Sequence, residues 1–196
     1  VENHKLPRVS ISLQFKYQPE LEGDAVGVSS IAGDLLGTKT ISRTKDEIDA
    51  SIDYIGAYLN TSSSGIYAGS LTKHLPTLMT LFSDILLNSE FTSDEFDKAV
   101  KQNISGLAAS MDDPDQIASN VSRVMNFGSK HTYGELMTEE TLSNISLEDC
   151  KAFYDTYFSP NGSYLAIVGD ITLDEVKVML DKHLSTWEVS SYENAM

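Results

Sequence analysis

Residues 8–17 alternate between apolar and polar side chains, and this pattern constrains the fold more than any other in the chain. Successive side chains of an extended backbone point to opposite faces, so the alternation predicts a strand with one buried face. A strand of this kind belongs to a sheet that is covered on one side and open on the other. The apolar positions are Val9, Ile11, Leu13 and Phe15.

Two further regions have the pattern of strands. Residues 57–63 and 66–73 are separated by Ser64-Gly65, which predicts a hairpin. The apolar run at residues 164–168 is short and continuous, which is typical of a central strand with both faces buried.

Helix signals fill most of the remaining chain. Capping boxes begin at Thr44, Thr92 and Thr172, because each threonine is followed three residues later by glutamate. Pro114 stands at the first position of another helix, whose apolar stripe is Ile117, Val121, Val124 and Met125. The predicted helices cover about residues 25–36, 44–55, 75–88, 92–111, 114–125, 146–158 and 172–187.

The order of these elements is strand, two helices, hairpin, several helices, strand and helix. It lacks the regular alternation of a doubly wound fold, so it predicts an α+β domain with helices packed on one face of a mostly antiparallel sheet. We expect a single domain over residues 1–188 and the start of a linker at residues 189–196. We also expect the chain to be a fragment of a longer precursor.

Charge and cysteine content exclude several classes of protein. The chain has 14 basic and 29 acidic residues, a formal net charge of −15, which opposes binding to nucleic acid or to anionic lipid. No apolar run is long enough for a membrane span. The single cysteine, Cys150, excludes an internal disulfide, and its place in a helical pattern predicts an inert, partly buried thiol.

Several short segments, taken in order and spacing, resemble one family. They are the helix at 27–36, the stretch 55–61 leading into Ile66-Tyr67, His74-Leu75, Leu87-Asn88 before Phe91, the loop 131–134, and 157–161 before 165–170. Together they resemble the N-terminal-type domain of the pitrilysin/insulinase zinc metallopeptidases. This family includes the mitochondrial processing peptidase and its non-catalytic homologues.

The resemblance fails at the metal site. Active members carry an inverted zinc motif, H-x-x-E-H, whose two histidines bind the metal and whose glutamate activates water. This sequence has Ser30, Gly33 and Asp34 at those positions, and residues 98–109, where the resemblance places a third ligand, contain no carboxylate. The four histidines show no pair at ligand spacing. We therefore expect no catalytic residues and no metal in this domain.

Other catalytic arrangements fit the sequence less well. A triad of Ser29 or Ser30 with Asp34 and His74 lacks any feature that places the histidine nearby. The acidic cluster at residues 112–115 lacks the glycine and the closing glutamate of a calcium loop. In the loop 131–134, His131 is interpreted as a hydrogen-bonded structural residue.

The resemblance implies binding in place of catalysis. In the family an extended substrate adds to a sheet edge near the active helix, and the matching residues here are Leu59, Asn60, Thr61 and Ser62. The leading hypothesis is a non-catalytic half of a zinc peptidase that holds unfolded peptide and pairs with a catalytic domain or subunit carrying the zinc. Two alternatives remain: an active precursor with ligands outside this chain, and a structural or assembly protein of the same fold. The resemblance suggests a bacterial periplasm or cell envelope.

Overall fold

A computed structural model describes residues 1–192. Within that range the strands form one four-stranded antiparallel sheet in the order β2-β3-β1-β4. The strands are β1, Arg8–Phe15; β2, Tyr58–Ser62; β3, Gly65–Leu71; and β4, Ser163–Gly169. Strand β1 is central, and its Val9 lies opposite both Ser70 of β3 and Gly169 of β4.

In residues 1–192, seven helices follow the predicted order and one more lies between the fifth and sixth of them. They are α1, Val28–Leu35; α2, Lys45–Tyr54; α3, Leu75–Asn88; α4, Ser93–Ser110; α5, Pro114–Phe127; α6, Glu139–Asn144; α7, Leu147–Tyr157; and α8, Leu173–Leu184. Short 3-10 turns occupy Gly23–Ala25 and Thr72–His74. The capping boxes at Thr44 and Thr172 are formed as predicted.

The core lies on one face of the sheet. The apolar positions of β1 belong to one buried cluster with the inner side of α3, which includes Leu78, Met79 and Phe82. The other face is open, since Tyr67, Tyr164 and Val168 are exposed on neighbouring strands. This arrangement confirms the prediction of an α+β fold with helices packed on one face of an antiparallel sheet.

Strand β4 was predicted to be central, and that prediction is wrong. It lies at the edge of the sheet, with β1 as its neighbour among the four strands, and it alternates between exposed and half-buried residues. A short apolar run carries no information about its neighbours, and Tyr164, Ala166 and Val168 face outward instead of into a second layer.

Three local predictions also need correction. Helix α1 begins at Val28 instead of Ala25, because Gly27 takes a positive φ of 114° that ends the preceding turn. The Thr92 side chain makes no capping hydrogen bond, and Glu95 instead pairs with Lys98 at 2.6 Å. Helix α6, which the sequence analysis missed, starts at a capping box with threonine in place of glutamate.

Residues 189–192 contact the loop that precedes β4. The Ser190 amide donates to Ser159 Oγ over 2.8 Å, and Asn161 Nδ2 donates to the Ser190 carbonyl over 3.3 Å. The rest of the predicted linker, residues 193–196, lies outside the described residues. The domain boundary at 188 stays a prediction.

Candidate functional site

The N-terminus of α1 is held by two glutamates from outside the helix. The Glu22 carboxylate accepts hydrogen bonds from the amides of Gly27 and Ser29 at 2.6 and 3.1 Å. The Glu135 carboxylate accepts in turn from the amides of Glu22 and Gly23 at 3.1 and 2.8 Å. Negative charge at this end of a helix is favourable, because the first amides are unpaired and carry the positive end of the helix dipole.

Gly33 leaves no room for a side chain. A Cβ atom at this position would lie 2.2 Å from the Ser63 amide nitrogen and 2.8 Å from the Ser62 carbonyl carbon. Both contacts are to backbone of the β2–β3 turn, which cannot rotate away as a flexible side chain can. The position at which the resemblance expects a catalytic glutamate is therefore closed by the sheet itself.

The Asp34 carboxylate faces α4 and accepts a hydrogen bond from a side-chain amide. Its Oδ2 accepts from Asn103 Nδ2 at 2.8 Å, and the same Asn103 group also donates to the Ala99 carbonyl at 3.0 Å. Asp34 and Asn103 line a cavity of about 1030 Å³ between the two helices. A hydrogen bond thus joins α1 and α4 at the place where the resemblance would put a metal between them.

Ser30 and Asp34 line different cavities. Ser30 is half-buried, and its cavity of about 570 Å³ has a wall that includes Tyr17, Phe153 and Tyr157. Among residues 1–192 no group of three histidine, cysteine, aspartate or glutamate side chains is arranged to hold a metal ion. The structure thus brings Ser30, Gly33 and Asp34 onto one helix without a set of metal ligands around them.

The predicted peptide-binding residues all fall in β2, at an edge of the sheet. Leu59 and Thr61 are half-buried, and Asn60 and Ser62 are exposed. Thr61 Oγ1 donates to the carbonyl of Leu36 at 2.9 Å, which joins the strand to the C-terminal end of α1. The edge strand therefore runs directly beside the helix that carries Ser30, Gly33 and Asp34.

Two other candidate residues are structural. His131 packs against Phe127 and Tyr133, with ring centroids 5.5 and 5.4 Å apart, and its Nδ1 accepts from the Tyr133 amide at 3.1 Å. Cys150 is fully buried on α7, and burial raises the pKa of its thiol to about 12. A thiol with that pKa contains almost no thiolate at neutral pH, so it is a poor nucleophile.

We expect Cys150 to resist alkylation in the native protein. Iodoacetamide should leave it unmodified at neutral pH in the time that fully labels the same protein in guanidinium chloride, because only unfolding exposes the thiol and restores its ordinary pKa. Mass spectrometry of the intact chain counts the added groups. Rapid native labelling would contradict the buried position.

Sequence reasoning missed three residues that shape the site, namely Glu22, Glu135 and Asn103. The hydrogen bond between Glu135 and Glu22 joins residues 113 positions apart in sequence, and the bond between Asn103 and Asp34 joins residues 69 positions apart. Neither spacing belongs to a local motif, so no pattern within a helix or turn could have indicated these contacts.

Comparisons with known proteins place this geometry in a family. Residues 7–141 match the sequence profile described as "Insulinase (Peptidase family M16)", and residues 144–195 match the "Peptidase M16 inactive domain". An uncharacterized zinc protease of Rickettsia felis is 24% identical over 95% of this chain and 47% of its own length.

Solved structures show the same fold. The peptidase M16 inactive domain from Pseudomonas fluorescens superposes with a TM-score of 0.85 at 18% identity, covering 100% of this chain and 50% of that one. The periplasmic protease PqqL from Escherichia coli gives 0.78 at 16% identity, covering 95% of this chain and 22% of that one. The chain spans about half the length of the first relatives it matches, 47% and 50%.

The one-sided antiparallel sheet, with a helix beside its edge strand, is the fold of the M16 peptidase domain from Pseudomonas fluorescens. The profile match over residues 7–141 makes the assignment specific: this chain belongs to the insulinase family of peptidases, family M16. Within residues 1–192 no helix is both long and apolar enough to cross a membrane.

Proposed function

We propose that this chain is a non-catalytic part of an insulinase-type zinc peptidase, which holds extended peptide and pairs with a domain or subunit that carries the zinc. The observation that carries the proposal is the closure of Gly33 by the backbone of residues 62–63. A zinc peptidase needs three protein ligands, an open position for water and a base beside it. Here the position of the base is filled and Asp34 is engaged by Asn103.

The edge of β2 supplies a binding mode that needs no catalysis. A free strand edge presents backbone amides and carbonyls that pair with any extended peptide, and side-chain pockets add selectivity. The residues along this edge are Leu59, Asn60, Thr61 and Ser62, beside α1. Peptide bound there would lie against the same helix that bears the zinc motif in active members.

The greater length of this chain's relatives supports a partner. The chain spans 47% of the zinc protease of Rickettsia felis and 22% of the periplasmic protease PqqL, so the proteins it resembles contain considerably more chain than one such unit. We place the zinc in that further part or in a separate subunit. The periplasmic assignment of PqqL supports a bacterial envelope location for this chain.

Two other functions make different predictions. A precursor that is active through ligands outside this chain would contain an H-x-x-E-H motif elsewhere in the same polypeptide. A structural or assembly protein of this fold would bind no extended peptide. Hydrolysis and binding are therefore measured separately.

The first test is hydrolysis of a quenched fluorescent peptide of about a dozen residues, with zinc added. We expect no hydrolysis by this chain alone, and hydrolysis when an H-x-x-E-H-bearing domain or subunit is present. Activity of the isolated chain that a chelator abolishes would overturn the proposal. A rise in its melting temperature with zinc would do the same, because a ligand that binds only the native state stabilises it.

The second test measures peptide binding without hydrolysis. An extended peptide should bind this chain, and the same peptide with alternate backbone nitrogens methylated should bind at least about tenfold more weakly, since it cannot pair with the edge of β2. Equal binding of both peptides would exclude pairing with the strand edge. No binding of either peptide, with the catalytic partner also present, would favour the assembly role.

A further inference from the structure

Helix α5 presents an apolar stripe that the described chain leaves largely exposed. None of its 14 residues is buried, although Ile117, Val121, Val124 and Met125 recur at the spacing of a core-facing helix. Met125 is 80% exposed, Val121 51% and Ile117 47%. A stripe of this kind lies against core in most globular helices, so its exposure here is unusual.

The stripe forms one wall of a groove. The opposite wall consists of Leu107 and Met111 from the end of α4, together with Leu136 and Met137 from the segment before α6. The groove has a volume of about 430 Å³, and no charged side chain lines it. Met111, Met125 and Met137 bring flexible, polarisable side chains that adapt to the shape of an apolar partner.

Helix α5 is fixed in place by contacts on another side. Arg123 donates to the carbonyls of Tyr133 and Glu135 at 3.1 and 3.2 Å, which holds the helix to the loop that follows it. Asp113 caps its first turn by accepting from the Asp115 amide at 2.9 Å. These hydrogen bonds fix the orientation of α5, so its apolar stripe stays exposed and the groove is a regular feature of the fold.

The charge around the groove indicates what it accepts. Residues 107–140 carry six carboxylates but only two basic side chains. One of the two basic side chains, Arg123, already donates hydrogen bonds to carbonyl groups. Exposed carboxylates stand at both boundaries in sequence, at Asp112 and Asp113 after Met111 and at Glu139 and Glu140 after Thr138. A second copy of this chain, with its net charge of −15, is repelled from such a rim.

We infer that the groove between α4 and α5 docks a basic amphipathic helix of a partner protein. Its apolar face packs on Ile117, Val121 and Met125, and its lysine or arginine side chains meet the acidic rim. The surface is separate from the β2 edge, so this inference stands whether or not the chain holds extended peptide.

The test uses two fluorescein-labelled helical peptides of the same 14-residue length as α5. Both carry leucine at every third and fourth position; one carries lysine elsewhere and the other glutamate. By anisotropy, the lysine peptide should bind at least about tenfold more tightly than the glutamate peptide, and its affinity should fall with added salt. Equal affinities, or no binding of the lysine peptide, would overturn the inference.

Two matched variants locate the binding surface. Val121→Asp should weaken binding of the lysine peptide at least about tenfold, because it places an unpaired carboxylate in the apolar interface. Ser119→Asp adds the same charge on the opposite side of α5, at an exposed position, and should change binding less than about twofold. Equal effects of the two variants would show that the peptide binds elsewhere.

Controls keep the result interpretable. Because Val121 is half-exposed, Val121→Asp should melt within a few degrees of the wild type; Met125→Asp, at the most exposed position of the stripe, serves as a second variant. Sedimentation of the unliganded protein distinguishes the other occupant. A dimer that Val121→Asp dissociates would assign the groove to a second copy and overturn the inference.

Discussion

Replacement of Gly33 by alanine is expected to destabilise the protein by about 3 kcal/mol or more. The new Cβ would lie 2.2 Å from the Ser63 amide nitrogen, so α1 or the β2–β3 turn must shift. For a chain of this size a loss of 1 kcal/mol lowers the melting temperature by about 2–4 °C, so we expect a decrease of roughly 6–12 °C. Thermal unfolding followed by circular dichroism measures it.

Gly106→Ala provides the matched control. Gly106 lies in the interior of α4, and a Cβ there meets nothing within 4 Å. Alanine is the better helix former by about 1 kcal/mol, so this variant should melt slightly above the wild type. A Gly33→Ala protein as stable as Gly106→Ala would show that the turn does not close the position.

The close approach of the Ser62–Ser63 backbone to Gly33 should also prevent a zinc motif from being introduced at this helix. In the triple variant Ser30→His/Gly33→Glu/Asp34→His, the glutamate must enter the space held by the backbone of residues 62–63. We expect this variant to be less stable than Gly33→Ala and to show no zinc-dependent peptidase activity. Recovery of activity from these three changes alone would contradict the structural account.

The second large loss of stability is expected on substitution of Asp84, a buried carboxylate with four hydrogen-bonding partners. Its oxygens accept from Asn88, Thr40 and Ser42 at 3.0, 2.9 and 3.0 Å, and it pairs with the Arg43 guanidinium. Asp84→Ala leaves these donors unpaired in a largely buried place and should cost about 3 kcal/mol.

Asp49→Ala is the control for charge alone. Asp49 pairs with Lys45 at 3.2 Å, but both side chains are about half-exposed. An ion pair of this kind contributes about 0.5 kcal/mol or less, so its removal should hardly change urea unfolding. Equal decreases in the free energy of unfolding of Asp49→Ala and Asp84→Ala would show that the buried hydrogen bonds of Asp84 do not stabilise the protein.

The same group predicts a pH dependence. Burial alone raises the pKa of Asp84, but the hydrogen bonds from Asn88, Thr40, Ser42 and Arg43 outweigh it and hold that pKa below its usual range. The stability it contributes is therefore present above the unfolded pKa of about 3.9 and is lost as the pH falls through the lower folded value. As the pH is lowered from about 5 to about 3, the free energy of unfolding of Asp84→Asn, measured in urea, should therefore fall less than that of the wild type.

Local sequence patterns predicted some elements correctly and others wrongly, for physical reasons. The starts of α2 and α8 at Thr44 and Thr172 were predicted correctly, because a capping box joins residues only three apart. The same pattern at Thr92 failed, since Glu95 has a second local partner in Lys98. Placing β4 at the centre of the sheet failed because strand order depends on which distant segments pair.

The sequence by itself determined the α+β class, most element boundaries and the resemblance to the insulinase family. Periodicity, capping and motif spacing act within a few residues, so they can be read along the chain. Only the tertiary structure decided that the turn at 62–63 fills the position beside Gly33, that Asn103 engages Asp34 and that the stripe of α5 is left largely exposed. These features depend on which segments, distant in sequence, pack together, and local patterns do not encode that packing.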